Sequence, residues 1–475
     1  MKSRKVLLFT AIVIALLAVL SVAWPREGLR IGGLTLRFPS LHKVLVREEG
    51  PSLDEILRQE EQERELATLC DSLDFYRQAL SDTATRFWFP NDDVSFFDPL
   101  FAKMETAQAD GCTIRILHYG DSQIEMDRIS CRLRAMLQHR FGGNGPGLLP
   151  ILQTIPSFAV SQYASGALAM QTSYGDSLAL RANGNYGPMA KCFHLGGSAS
   201  AGFNATRHEG SDSLVRRFDR ATLIFNNRGG SLSATLANRT AGTSETQNNN
   251  NPGVGAMTWA VDSSAALRLS LSGNSDIYGI MLDGVGGVAV DNIPLRGCSG
   301  QQFSMINRQQ LADAYALMDV GMIIMQFGGN SVPYLGGQKS RDIYCNSIGK
   351  QIDRLHEVCP NALILFIGPS DMAARNEEGD LRTYSYLPKV VSELRDTATA
   401  HGAAFWSIFD AMGGANSMPA WVSGGLAGSD YIHFSPKGAD IMGDRLSQAF
   451  MRLYDFYLLR KPIPKTQFDS LWYKK

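Results

Sequence analysis

The sequence predicts an α/β protein: a parallel sheet covered by helices on both faces, interrupted by an antiparallel β-rich insert and preceded by an apolar segment of membrane length. Three observations carry this reading. From Thr113 onward mainly apolar strand-like runs alternate with helix-like segments, between 151 and 283 that alternation gives way to period-two patterning, and residues 6–24 contain no charge.

The runs Ile114–Tyr119, Gly287–Ile293, Met322–Phe327, Leu363–Ile367 and Ala403–Ile408 are short and largely unbroken by polar residues, as strands covered on both faces require. Helical spacing near 125–140, 301–318, 340–358, 385–400 and 436–453 fills the intervals, which is the order that builds a parallel sheet. Inside the exception, Leu267-Arg268-Leu269-Ser270-Leu271 and Leu232-Ser233-Ala234-Thr235-Leu236 put apolar groups on one face and polar groups on the other. Asn248 to Asn251, followed by Pro252-Gly253, reads as an exposed loop. The expected division is 1–25 as anchor or signal segment, 26–100 as stalk, 101–150 with 284–460 as the discontinuous α/β domain, 151–283 as the insert and 461–475 as a tail.

Lys2, Arg4 and Lys5 precede the run Val6–Trp24, which as a helix would extend ~28 Å, close to the hydrocarbon thickness of a bilayer. The basic flank places that end in the cytoplasm and sends the rest across. Two fates fit: an uncleaved membrane anchor through residues 6–24, or a signal peptide cut near the small residues Ser21-Val22-Ala23. Between Pro51 and Leu80 charges alternate with leucines at helical spacing, giving a surface helix or short stalk.

In the 475 residues, 45 Lys and Arg against 46 Asp and Glu leave a net charge of −1, which supplies no field for gathering nucleic acid. The seven cysteines never form Cys-x-x-Cys, so neither a zinc ribbon nor a dithiol redox pair is indicated. They read as buried thiols, with room for one disulfide. No metal-binding motif is present and no cofactor is expected.

The chemistry is concentrated at strand ends. Ile114 to Ser122 is a strand that stops at Gly120 and hands over to a helix expected near Ile124, so Ser122 falls where unpaired backbone N–H groups collect. A cap made by Asp121 or Ser122 is the structural alternative. A serine nucleophile needs a base, and His433 lies just before the last helix with Asp430 three residues earlier, where a carboxylate can fold back onto the imidazole. Gly328-Gly329-Asn330 and Gly297 follow two further strands and could add donors to an oxyanion hole with the Ser122 N–H. Each is an ordinary turn taken alone. Together they occupy successive strand ends, where open α/β sheets place their sites.

Gly120-Asp121-Ser122, Gly297, Asn330 and the Asp430/His433 pair resemble, in order, the four motif blocks of the SGNH or GDSL-type hydrolase superfamily. The resemblance implies a flavodoxin-like three-layer α/β/α domain, with Ser122 as nucleophile, His433 as general base and acid, Asp430 as its orienter, and Ser122, Gly297 and Asn330 as the oxyanion hole. One departure is Gln123, where the short signature carries leucine. The expectation is that this change bears on substrate contacts. The chain is also similar to bacterial peptidoglycan and polysaccharide O-acetylesterases that carry a carbohydrate-binding-module-like β-sandwich between the serine and glycine blocks. That likeness implies an inserted antiparallel β-sandwich, an acetylated envelope glycan as partner, and a catalytic domain in the periplasm, either anchored in the inner membrane or released.

The implied reaction is removal of O-acetyl groups through an acyl-enzyme. Its rivals are an O-acetyltransferase with the same triad and a non-catalytic glycan-binding protein. Asp127 and Arg128 read as a solvated helix surface, Glu125 as a helix cap or pocket-mouth residue. Trp259, Tyr174 and Tyr186 are either sugar-stacking or core, and His118 reads as a hydrogen-bonded core histidine.

Overall fold

Six strands hydrogen-bond in the order Gly287–Pro294, Thr113–Gly120, Val320–Gln326, Leu363–Gly368, Ala404–Ser407 and Phe87–Trp88 in a computed structural model of the chain. It describes residues 2–25, 27–40, 52–174, 183–205, 212–262, 266–376 and 378–473. The five strands expected from the apolar runs are present and mutually parallel. Alternate residues of these strands feed two different cores. Leu117, Ile323, Met325 and Phe366 pack with Ile352 and Leu355 of helix Gln338–Val358 and Leu394 of helix Leu387–Ala400. Ile116, Met322, Ile324 and Leu365 pack with Leu133 and Leu137 of helix Ser130–Phe141 and Leu446 and Phe450 of helix Pro436–Arg460. Burial on both faces explains why the strands read as continuous apolar runs, and it makes the three layers.

The sixth strand comes from the segment read as a stalk. Phe87–Trp88 pairs antiparallel with Phe405 and Trp406, and Phe97 packs against Phe101 and Phe450 at centroid distances of 6.2 and 5.2 Å. Two residues are too few to show a period, so the aromatic cluster was the only available signal. At the other end, residues 465–472 form the helix Lys465–Trp472, whose Phe468 ring lies 6.0 Å from Phe456.

Among the described residues the insert supplies seven strands of one hydrogen-bonded antiparallel sheet, which Gly147–Leu149 completes as the eighth, with a core of its own that includes Phe193, Phe203, Phe225, Trp259 and Leu269. Its spine is Ala266–Asp283, whose 18 residues are long enough to change partners on both sides. On one side it pairs first with Leu232–Asn238 and then with Arg220–Asn227, on the other with Lys191–Ala205 and then Gly147–Leu149. The first of these changes falls between Gly273 and Asp276, and the second falls later, at a bulge between Ile277 and Gly279. Gly279 has φ 156° there, and a Cβ would meet the Leu149 carbonyl oxygen at 2.7 Å. The leucines of the predicted alternation are buried and the intervening Arg268 and Ser270 exposed.

A buried charge cluster joins insert to sheet. Arg115, on the serine strand, bonds Asp283 at the end of the spine and Asp291 on the neighbouring strand, the latter at 2.7 Å. Asp291 also receives the Leu148 N–H at 2.8 Å. Both aspartates hold Arg115 more firmly protonated than usual, against the opposing effect of burial.

The chain falls into two compact units, Met1–Phe75 and Tyr76–Lys475. The first contains helix Lys2–Ala23 and a hairpin pairing Leu29–Ile31 with Leu34–Leu36, and helix Leu53–Ser81 runs through the boundary. Ser3–Ala23 has mean hydropathy 3.0 and is long and apolar enough to cross a membrane. All seven cysteines are free thiols. Cys192, Cys298 and Cys359 are buried, whereas Cys112 is exposed.

Candidate active site

The parallel strands deliver their C-terminal ends to one rim, and four of the residues singled out in the sequence meet there. Gly120 ends the first strand, and the chain turns into two short helical turns over Ser122–Asp127, broken by a kink at Glu125 and Met126. The Asp121 carboxylate caps it by accepting the Gln123 N–H at 3.0 Å. The α-helix expected to start near Ile124 begins only at Ser130. Glu125 is extended, and Met126, Asp127 and Ile129 all have φ between 62° and 66°. A β-branched residue rarely adopts such a conformation, so surrounding contacts must hold it. One of those contacts is the buried pair of Asp127 with Arg134, at 2.6 and 2.8 Å. Ser122 therefore stands on a short, tightly fixed turn, without a long helix dipole behind it.

The Ser122 Oγ is 2.7 Å from His433 Nε2. His433 Nδ1 is 2.7 Å from Asp430 Oδ2. Asp430 Oδ1 accepts the N–H groups of Ile432 and His433 at 3.0 and 3.1 Å, a fold-back made possible by Tyr431 at φ 57°. Burial would raise the Asp430 carboxyl, but hydrogen bonds from the His433 ring and from those two N–H groups outweigh it and hold it below the usual range. An ionised Asp430 at Nδ1 leaves Nε2 as the free base facing the serine. The His433 and Asp430 side chains remain 38% and 48% exposed, so water reaches this pair directly.

Ser122, His433, Asp121 and Asn330 line one cleft of about 260 Å³. Asn330 Nδ2 donates to the Cys298 carbonyl at 3.0 Å, which ties it to the residue after Gly297, and lies 3.4 Å from Asp121 Oδ2. Gly297 has φ 75° and no atom within 4 Å of where its Cβ would be. It faces an adjoining groove that Asn330 also lines. Ser122, His433, Asp430 and Asn330 are thus brought together, with Gly297 one step further along the rim. Burial pushes Asp121 up to about 6, and the Gln123 N–H and the nearby His433 pull the other way.

Several neighbours differ from their sequence reading. Gln123, expected to bear on substrate contacts, lines the cleft and also holds the histidine loop: its Nε2 donates to the Ile432 carbonyl at 2.7 Å and its Oε1 accepts the Phe434 N–H at 3.2 Å. Arg128, expected in solvent, donates to the carbonyls of Ser122 at 2.7 Å, Glu125 at 3.0 Å and Phe434 at 3.0 Å. Asp127 is buried against Arg134, and Glu125, 4% exposed, is neither a cap nor a pocket-mouth residue but pairs with Arg296 at 2.5 and 2.6 Å. The helical period failed here because the segment is not an α-helix. His118 is buried between Gln326 at 3.0 Å and Ser130 at 2.9 Å, and burial draws it down to about 4. Trp259 and Tyr186 are core residues, and Tyr174 packs against the core.

Residues 195–441 match the model of the GDSL-like lipase/acylhydrolase family. The match starts beyond Ser122, so the serine enters through its geometry with His433. Among solved structures, one entitled "Peptidoglycan O-acetylesterase in action, 5 min" is similar at 21% identity and a TM-score of 0.61, covering 78% of this chain and 98% of that one, and shares its fold. A family two carbohydrate esterase from Cellvibrio japonicus (10% identity, 63% and 99% covered) aligns with a TM-score of only 0.25. No curated protein sequence matches.

Proposed function

Because the chain belongs to the GDSL-like lipase/acylhydrolase family, we propose that it is a serine esterase that removes O-acetyl groups from a cell-envelope glycan. The observation that carries the reading is the relay from Ser122 Oγ through His433 to Asp430, with both links at 2.7 Å, at the mouth of an open cleft. In this reading residues 101–150 and 284–460 carry the reaction and 151–283 form the insert beside it. The Ser3–Ala23 helix would hold the enzyme at the membrane or direct its export, with the cleft outside the cytoplasm. The peptidoglycan O-acetylesterase likeness in fold and an inserted β-rich segment support a glycan over a lipid ester.

Ser122 Oγ attacks the acetyl carbonyl as its proton passes to His433 Nε2, and the C–O bond forms while the carbonyl π pair moves onto oxygen. The ionised Asp430 stabilises the resulting imidazolium. The oxyanion is met by the Ser122 N–H, the Gly297 N–H and Asn330 Nδ2. Collapse expels the sugar alkoxide, which takes the proton from His433 and leaves acetyl-Ser122. Water, deprotonated by His433, then attacks the same carbonyl, and acetate departs as Ser122 regains its proton.

The test uses the full-length protein in detergent with a chromogenic acetyl ester and with an O-acetylated glycan. Release of acetate from both, abolished by Ser122→Ala, is expected. Undiminished release by that variant would refute the assignment.

A further inference from the structure

A second pocket lies beside the serine turn, at the junction with the insert. Its walls include Met126, within the Ser122–Asp127 turn, and Pro294, the register partner of Gly120 at the end of the serine strand. The pocket and the Ser122 cleft share no lining residue and are linked through the Ser122–Asp127 turn, so a chain with its ester at Ser122 would have to cross that turn to reach it.

Lys191, which opens the insert strand Lys191–Ala205, lines this pocket at 6% exposure. The charges around it are already matched. Glu125 is taken by Arg296 and Asp127 by Arg134, each through two bonds, and Arg128 spends its donors on three carbonyls. Among the described residues the Lys191 side chain makes neither a hydrogen bond nor an ion pair, while its backbone is held in the ladder opposite Thr172. Burial lowers its amine to about 8, with Glu125 opposing, so the group still carries its proton at neutral pH. A cation in so buried a residue, held by no direct ion pair, is unfavourable unless a ligand supplies one.

The same pocket holds a second orphan. Gln162 Oε1 is buried without a partner, while its Nε2 donates to the Pro150 carbonyl at 2.8 Å, which fixes the amide orientation. One cation and one free acceptor match a carboxylate beside a hydroxyl: the carboxylate accepts from Nζ and the hydroxyl donates to Oε1. The volume, about 50 Å³, holds a group of this size and no complete sugar ring.

We propose that this pocket binds the carboxylate of an acidic sugar unit, which makes the enzyme selective for O-acetylated glycans bearing uronic-acid-type carboxylates. The selectivity rests on the esterase reading above, whereas carboxylate binding by the pocket does not.

Binding is read by calorimetry on the full-length Ser122→Ala protein in detergent, with D-galacturonate and D-galactose as probes. Galacturonate is expected to bind at least about tenfold more tightly than galactose, with the preference lost in Lys191→Met and weakened in Gln162→Leu. Lys191→Met should also raise Tm, because it removes a desolvated charge, which separates lost recognition from lost folding. In turnover, wild-type protein should favour O-acetylated oligogalacturonides over the same oligomers with reduced carboxylates by about tenfold in kcat/KM, and Lys191→Met should bring that ratio near one. No preference for galacturonate, or a preference unchanged in both Lys191→Met and Gln162→Leu, would overturn the proposal. Lys191-dependent galacturonate binding without acetate release from either oligomer would uphold the pocket and refute the esterase.

Discussion

Gln123 grips the chain on both sides of His433, donating to the carbonyl of Ile432 at 2.7 Å and accepting the N–H of Phe434 at 3.2 Å. The residue next to the nucleophile thus fixes the loop that carries the base. Gln123→Leu, which restores the short signature of the family, leaves both loop groups without their buried partner. Turnover should fall about 10-fold or more through misplacement of the imidazole, with a smaller change in KM. Steady-state kinetics on an acetyl ester checks this, and a KM effect with kcat preserved would return Gln123 to a substrate-contact role.

Arg128 bridges the same two segments from the other side, through the carbonyls of Ser122 and Phe434. Lysine carries the charge but not the planar fork, so Arg128→Lys should lose most of this tie. The expected result is a kcat loss of about tenfold, with the folded state retained by circular dichroism. Equal kcat in Arg128→Lys and wild type would show that the two segments hold their register without it.

The five parallel strands, their order along the chain and the Ser122, His433 and Asp430 positions were legible because each leaves a local mark: an apolar run, a Gly-Asp-Ser turn, a carboxylate three residues before a histidine. What was not legible depends on contacts distant in sequence. Gln123 and Arg128 reach residues of the 432–434 loop, and no spacing in their own segment reports that. The segment 122–129 also resisted periodic analysis because its left-handed residues, Met126, Asp127 and Ile129, break the helical repeat. The Phe87–Trp88 strand was hidden by its shortness.

Two buried groups near the rim make opposing contributions to pH-dependent stability. Asp121 has a folded value of about 6, above its ordinary value of 3.8, so the folded state binds more protons between these values and stability falls as pH rises from about 4 to 6. His118 has a folded value of about 4, below its ordinary value of 6.5, so the unfolded state binds more protons there and stability rises across nearly the same range. Each amounts to about 3 kcal/mol and they largely cancel. Denaturant titrations from pH 4 to 7 should show Asp121→Asn gaining stability with pH more steeply than wild type, and His118→Gln losing it. Parallel profiles for all three proteins would contradict both shifts.

Arg115, with its two aspartates, joins the insert to the sheet, and removing one partner leaves a buried charge short of its match. Asp291→Ala should destabilise the protein by about 3–5 kcal/mol, because it also releases the Leu148 N–H. A change below about 1 kcal/mol in chemical denaturation would mean that the cluster relaxes or admits water.

The relay at the sheet rim implies a covalent step at one named oxygen. The direct measurement is rapid acid quenching of the full-length protein during turnover of an acetyl ester, followed by peptide mass spectrometry. The account predicts one acetyl group on the peptide containing Ser122, absent in Ser122→Ala and diminished in His433→Ala. Acetate release at the wild-type rate with no acetyl on Ser122, or with the label on another residue, would contradict it.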